Sequence, residues 1–364
     1  MISPVPVLHV LGGLGLGGTE KTAQLLAVHL DRDTYACRIF SFADGPRWAL
    51  IAKEGIPVVI GSDLLAALKQ LAPRIIHLHR AGWPAPAMLR QVGSYKNFCR
   101  RCGLAPPLVV ETNVFGRHDP SVDASAVDLG LFVSNFCAER YVRQHPVSSY
   151  IFRVLYNPVD TDFFARHCPE RPLNAAVIGR LSRADPGKWS RLALDMLPLL
   201  VELVPELKMR VIGATPEAER FFVEHALQSH VDCLDSVATD QELASFFNSI
   251  SLLAHANDAG ESFGLVIAEA MAAGLPVLTH PCPYPRDNAQ LELVDDGLTG
   301  LVAASPAEYS QAAARLCRHP DEAEAMGRAG RAKAQRLFRV QKIAAELSDI
   351  YQEFLAGKAA GGGK

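Results

Sequence analysis

Residues 5–18 read VPVLHVLGGLGLGG, and a helical pattern over Glu20–Leu30 follows at once. An apolar run, a glycine turn and a helix together make the opening unit of a parallel α/β sheet. Gly13, Gly15 and Gly18 satisfy G-x-G-x-x-G in its strand–turn–helix context. Glycines let backbone N–H groups approach an anion, and a helix N-terminus adds partial positive charge there. The loop therefore reads as a ligand loop without naming the ligand. A dinucleotide oxidoreductase, the alternative that this loop supports, wants an acid at the end of the second strand. The nearest, Asp44, lies past that strand in a DGP turn.

The same alternation continues outward. Strands are expected at CRIFSF (37–42), IPVVI (56–60), RIIHLH (74–79), LVVET (108–112), DLGLFVS (128–134) and IFRVL (151–155), with helix-length segments such as Asp63–Leu71 and Asn135–Gln144 between them. A second series starts at NAAVIG (174–179) and runs through LKMRVIG (207–213), VDCLDS (231–236), ISLLAHA (250–256) and LPVLTH (275–280). The polar, proline-containing ARHCPERPLN (165–174) separates the two series. The expected fold is α/β, two Rossmann-like domains facing across a cleft, divided as residues 1–168 and 169–340. Ligands of such sheets bind outside the carboxyl ends of the strands. Residues 358–364, KAAGGGK, read as a disordered tail.

A chain of 364 residues suits two domains. Apolar residues at 49% and charged residues at 21% argue against bulk disorder. The net charge of −3 excludes a strongly basic nucleic-acid binder, so no nucleic-acid partner is expected. No apolar run approaches the roughly 20 residues of a membrane helix, which leaves peripheral membrane contact open. MISPVPVLHVLGG lacks the basic start of a signal peptide, and the eight cysteines are scattered apart from Cys99 and Cys102. A cytoplasmic protein with ordinary thiols is expected, and the lone C-x-x-C lacks further zinc ligands at a recognisable spacing.

The segment Glu261-Ser-Phe-Gly-Leu-Val-Ile-Ala-Glu269-Ala-Met-Ala-Ala-Gly-Leu carries the chemistry. From Gly264 to Leu278 the only charge is Glu269, so the helix is apolar all round and buried. A carboxylate there is costly unless something bonds to it. Eight helical residues span about 12 Å, placing Glu261 at the mouth and Glu269 two turns deeper. The amides of Phe263, Gly264 and Leu265 are expected as the helix-start donors for an anion. Carboxylates on either side suit a diphosphate flanked by two sugars, since they accept from vicinal hydroxyls. Arg180, at the end of NAAVIG, and Lys188, in GRLSRADPGKWS, supply cations at the edge where ligands bind.

Together with GGTE (17–20), SNFCAERY (134–141), NPVDTDFF (157–164) and DDGLTGLV (295–302), these segments resemble the family 4 retaining glycosyltransferases of the GT-B type, over nearly the whole chain. The resemblance implies a UDP- or GDP-sugar donor and a glycan or lipid-linked acceptor, in cell-surface polysaccharide or glycolipid synthesis at the inner face of the membrane. It implies donor diphosphate binding by Arg180, Lys188 and the 263–265 amides, a catalytic Glu261 holding sugar hydroxyls, and Glu269 on the ribose. Gly17 and Gly18 would close on phosphates or acceptor, and a C-terminal helix, 341–357, would cross back to the first domain. No cofactor and no metal are implied, because Arg, Lys and helix dipoles stabilise the departing diphosphate. A catalytically silent sugar-nucleotide binder of the same fold is the other alternative.

The chain departs from the family pattern in three places. The Arg180–Lys188 loop is longer than usual. ETNVFGRH carries Asn113 where many relatives have a histidine, with His118 five residues on. PYPRDNAQLELV replaces a frequent glycine pair, leaving sugar contacts around 283–290 unassigned. His77 and His79 in IIHLHRAG are expected on opposite faces of their strand and so not as a metal pair; His79 is expected at the acceptor side with Asn113 and His118. Tyr95, Lys96, Arg100 and Arg101 are expected in a solvated loop.

Overall fold

The computed structural model describes residues 3–146, 149–173 and 176–361, so the first two residues of NAAVIG and the last three of the chain lie outside the described residues. The chain divides into two compact units, Met1–Pro158 with Val340–Lys364, and Val159–Arg339.

The first unit holds a parallel seven-stranded sheet: β1 (Val5–Leu11), β2 (Tyr35–Ser41), β3 (Val58–Ile60), β4 (Ile75–Arg80), β5 (Leu108–Asn113), β6 (Leu129–Phe132) and β7 (Phe152–Val154). The spatial order is β3-β2-β1-β4-β5-β6-β7, so the topology reverses between β1 and β4. Both β4 and β5 are buried at every position, as a sheet covered on both faces requires. Alternation assigns Leu8, Val10, Ile76 and Leu78 to one core, with Leu64, Leu68, Leu89 and Val92 from the covering helices. Val7, Ile75, Leu108 and Val110 face the other way. There they meet Ile343, Leu347 and Tyr351 of the helix Val340–Gly361, whose return is further tied by Tyr35 Oη donating to Ser348 O at 3.2 Å. This helix runs through residues 358–361, where the sequence pattern predicts disorder.

The expected loop at 95–101 is helix, Pro86–Arg101. Tyr95 and Lys96 are buried, and Lys96 Nζ donates to Ala126 O at 3.0 Å and pairs with Asp128 at 2.9 Å. Of the four residues, Arg100 and Arg101 at the helix end are the ones exposed to solvent. Its apolar spacing, at Leu89, Val92, Tyr95 and Cys99, is the signal that the two adjacent arginines obscured.

The second unit carries β8 (Val177–Leu181), β9 (Lys208–Ile212), β10 (Val231–Leu234), β11 (Leu252–Ala254), β12 (Val277–Thr279) and β13 (Gly300–Val302), all parallel, in the order β10-β9-β8-β11-β12-β13. It begins ten residues earlier than the composition predicts, because 159–168 pack onto it. Asp160 caps the helix Thr161–His167, and Phe164 meets Phe247 at 5.9 Å between ring centroids. Arg171 of the presumed linker donates to Phe247 O and Ile250 O at 2.9 and 2.5 Å. Polar and proline-rich composition reads as linker, yet buried backbone carbonyls bind this arginine into the unit.

Candidate active site

In the second unit the topology reverses between β8 and β11, and the sequence-predicted cations and acid meet at the carboxyl edge of those two strands. Arg180 is the penultimate residue of β8. Lys188 ends the short turn Pro186–Lys188, whose entry Asp185 caps by accepting from Gly187 N at 2.9 Å. Trp189 then anchors to Gly213 O through its indole N–H at 2.9 Å, and Ser190 caps the helix Arg191–Leu203. The loop is long, but every turn of it is fastened, so Lys188 is presented from a fixed frame.

Beyond β11 come His255, Asn257 and Glu261. Three donors converge on Glu261 Oε1: Asn257 Nδ2 at 2.7 Å, Lys188 Nζ at 3.0 Å and His255 Nε2 at 3.2 Å. A carboxylate only accepts, so the His255 proton facing it sits on Nε2. The Glu261 backbone N–H donates to Gln290 Oε1 at 3.0 Å, and Gln290 Nε2 in turn donates to His280 O at 3.0 Å. Burial pushes the Glu261 carboxyl up, but the His255 hydrogen bond and the Lys188 charge outweigh it and hold the group down at about 2. It is therefore an anion at any physiological pH.

His255, Asn257 and Gln290 were not singled out from the sequence. The signal for the first two lies in SLLAHAND, where an apolar strand ends in two polar side chains just ahead of the acid. Gln290 comes from a segment 29 residues downstream, and its part is visible only in three dimensions.

Arg180 is 3% exposed and lies with its guanidinium carbon 4.1 Å from the Trp189 ring centroid. It donates to Ala256 O at 2.7 Å and to Lys188 O, tying the two walls of the site together. Its Nε is buried without a partner among the described residues. Burial lowers its pKa to about 10, which leaves it cationic at neutral pH. It thus fixes the site's shape as well as its charge.

The helix starts later than predicted. Gly264 is the N-cap, at φ +102°, and the helix is Leu265–Ala272. The donors of its first turn are therefore Leu265, Val266 and Ile267, with Phe263 and Gly264 before it. Phe263 is buried, and its ring meets Phe338 at 5.3 Å, so its side chain serves packing. Glu261 precedes the helix rather than sitting in it, and Glu269 lies in its second turn at 4% exposure.

The first-unit residues fare differently. Gly17 is the N-cap and Gly18 the first residue of the helix Gly18–His29. Arg47 braces the loop behind them, its N–H donating to Leu14 O at 3.0 Å and its Nε to Gly15 O at 3.1 Å. Asn113, expected at the acceptor side, is 2% exposed and spends both ends of its amide on Arg117: Nδ2 donates to Arg117 O at 2.8 Å, and Oδ1 accepts from Arg117 N at 3.1 Å. It is a loop clamp. His118 is at the surface, 3.2 Å from the Tyr141 hydroxyl.

His77 and His79 share one face of β4, since residues two apart on a strand point the same way. Their rings stack at 4.3 Å, and His9 joins them from β1. The three present ring nitrogens within 4.8 Å of one another. The ring planes lie 19° to 32° from parallel. The nitrogens also serve hydrogen bonds: His9 Nδ1 to His79 Nε2 at 3.0 Å, and His77 to the Tyr351 hydroxyl at 2.6 Å and the Thr112 hydroxyl at 2.8 Å. His79 accordingly belongs to the interior, 4% exposed, and not to an acceptor surface. Burial holds all three well below the usual imidazole range, His9 at about 3.

Residues 173–319 match the family model described as glycosyl transferases group 1. The chain is 25% identical over 316 residues to the D-inositol 3-phosphate glycosyltransferase of Saccharomonospora viridis, covering 81% of this chain and 70% of that protein. It is 30% identical over 163 residues to the phosphatidyl-myo-inositol mannosyltransferase of Mycobacterium tuberculosis, covering 43% of this chain and 41% of that protein. The solved structure of Anabaena Alr3699/HepE in complex with UDP and glucose aligns over 96% of this chain and 100% of that one, with a TM-score of 0.76 at 19% identity, a likeness of fold. In fold, the two parallel-sheet units match those of solved GT-B glycosyltransferase structures.

Proposed function

We propose that this chain, a glycosyltransferase whose second unit carries the group 1 domain, moves a sugar with retention from a UDP- or GDP-sugar to a glycan or lipid-linked acceptor in cell-surface polysaccharide or glycolipid synthesis. The observation that carries the reading is the convergence of Lys188, His255 and Asn257 on one oxygen of Glu261, beside the buried Arg180 at the strand reversal. An oxidoreductase has no use for this constellation. Asp44, the acid that such an enzyme would need, turns its carboxylate onto the N–H of Gly45 at 2.7 Å.

On this reading Lys188 and Arg180 bear the charge of the donor diphosphate, with the Leu265–Ile267 amides at the helix start as its neutral donors. Oxygen Oε2 of Glu261 has no partner among the described residues and is the acceptor for a sugar hydroxyl. Glu269 takes the ribose hydroxyls. As the bond to the leaving phosphate breaks, charge builds on the diphosphate where the cations already stand, so the site stabilises the transition state without reorganising. The acceptor hydroxyl attacks from the face the phosphate leaves, and that phosphate oxygen takes its proton. The fixed cations and amides do this work with no metal required.

Incubation with UDP-, GDP- and ADP-sugars, read by thermal shift and by slow donor hydrolysis, tests the proposal and identifies the base. Stabilisation by at least one nucleotide sugar, with release of its free sugar, is expected. Stabilisation by NAD(P) and by no nucleotide sugar would sink it. The relatives named for inositol-derived acceptors favour a lipid-linked or phosphorylated acceptor.

A further inference from the structure

We infer that a cavity at the amino edge of the second unit's sheet binds a small organic anion, a phosphate or a carboxylate, apart from the donor site and independently of the transferase reading. The cavity measures about 250 Å³. Its walls are residues 169–173, ahead of β8, residues 273–275, ahead of β12, and one face of the helix Pro320–Leu337. Arg180, Lys188 and Glu261 stand at the opposite, carboxyl edge of the same strands.

Two glycines let these pieces approach. A Cβ on Gly327 would lie 2.1 Å from Gly274 O, so the helix rests directly on the turn before β12. Glu324, Arg328 and Arg331, four and three residues apart, share the helix face that results. Gly274 is at φ +81°, and a Cβ there would come within 2.7 Å of Arg331 Nη2. The guanidinium is therefore seated against bare backbone.

Arg171, Arg328 and Arg331 all line the cavity. Two of them spend hydrogen bonds on neutral groups. Arg171 Nη2 donates to Phe247 O and Ile250 O, and Arg331 Nη2 donates to Cys168 O at 2.5 Å and Ala273 O at 2.8 Å. Among the described residues neither pairs with a carboxylate, and Arg331 Nε is buried without a partner. Arg328 faces Glu324 Oε2 at 3.7 Å, while Glu324 Oε1 accepts from Leu173 N at 3.2 Å. Glu170, exposed, is the other carboxylate of the lining, so three cations meet two anions there.

The excess of positive charge calls for an anion, and a guanidinium fork matches phosphate and carboxylate alike. Pro169, Pro172, Leu173 and Leu275 offer apolar surface to a short carbon body. The volume suits a molecule of a few carbons and is small for a nucleotide. Carbonyl bonds already hold Arg171 and Arg331 in place, which lowers the ordering cost of binding.

Calorimetry on the full chain tests this, with saturating UDP to keep phosphates out of the donor site. The probes are glycerol 3-phosphate, glycerate, inorganic phosphate and, as the neutral control, glycerol. Glycerol 3-phosphate or glycerate is expected to bind at one site, and glycerol is not. Arg328→Glu should weaken that binding by about tenfold or more, and Arg328→Lys should retain part of it. Glu170→Gln should tighten it by about two- to fivefold, a gain that damage to the fold does not produce. Equal binding by inorganic phosphate would overturn the part given to the carbon body. Absence of binding by every anion, or affinities unchanged in both Arg328→Glu and Glu170→Gln, would overturn the whole.

Discussion

Asn257 Nδ2 donates to Glu261 Oε1 at 2.7 Å, the shortest of the three bonds that meet on that oxygen. One carboxylate oxygen is thus fixed by a neutral amide, an ammonium and an imidazole, and the other is left to a ligand. The amide matters because it is short and inflexible. Asn257 and His255 hold the carboxylate in place beside the Lys188 ammonium.

Glu261→Ala is expected to abolish measurable transfer, with kcat down by about 100-fold or more, the scale of losing a group that acts in the transition state. Asn257→Ala should cost about tenfold, since it loosens the same carboxylate without removing it. Steady-state kinetics on both variants check this, and wild-type turnover in Glu261→Ala would remove that residue from the site.

Lys188→Ala should weaken nucleotide-sugar binding by about 10- to 100-fold, in keeping with a charge-assisted contact to phosphate. Titration calorimetry at two salt concentrations reads it. The wild type should lose affinity as salt rises, and the variant should lose less.

Gly264→Ala should lower the melting temperature and donor affinity together. The residue caps the Leu265–Ala272 helix at φ +102°, and a side chain there is strained by about 1–2 kcal/mol. An unshifted melting temperature would show that the cap relaxes at no cost.

Acid should destabilise the first unit through His9, His77 and His79. Burial depresses their folded pKa values below the unfolded value of 6.5, His9 to about 3, so they are neutral when folded and take up protons on unfolding. Their contribution is present in full above about pH 6.5 and is lost as the pH falls from there towards 3. Melting curves between pH 7.5 and 5, ranges typical of imidazole titration, should show a shallower decline in His9→Gln. Parallel curves for variant and wild type would contradict the assignment. The Glu261 carboxyl works in a lower window, its contribution lost only as the pH falls from the ordinary carboxylate range towards about 2.

Much of the site was legible because its parts are close in sequence or carry strong local signals. Arg180 and Lys188 follow a strand end, and Glu261 opens the apolar segment, and these three the structure brings together. Other features misled. The adjacent Arg100 and Arg101 disguised a half-buried helix, and the proline-rich stretch before residue 174 disguised a segment fastened by Arg171. His77 and His79 share a face because the strand period is two, and that places them in the interior.

The sequence by itself determined the alternation of strands and helices, the glycine loop, the second unit's cations and its acidic helix, since these follow from apolar periodicity and residue chemistry within short windows. Only the tertiary structure decided which oxygen of Glu261 is gripped, that Gln290 supports it from 29 residues away, and that Asn113 clamps a loop. Those facts depend on side chains from separate strands reaching hydrogen-bond distance, which only the register and burial of the folded sheets can set.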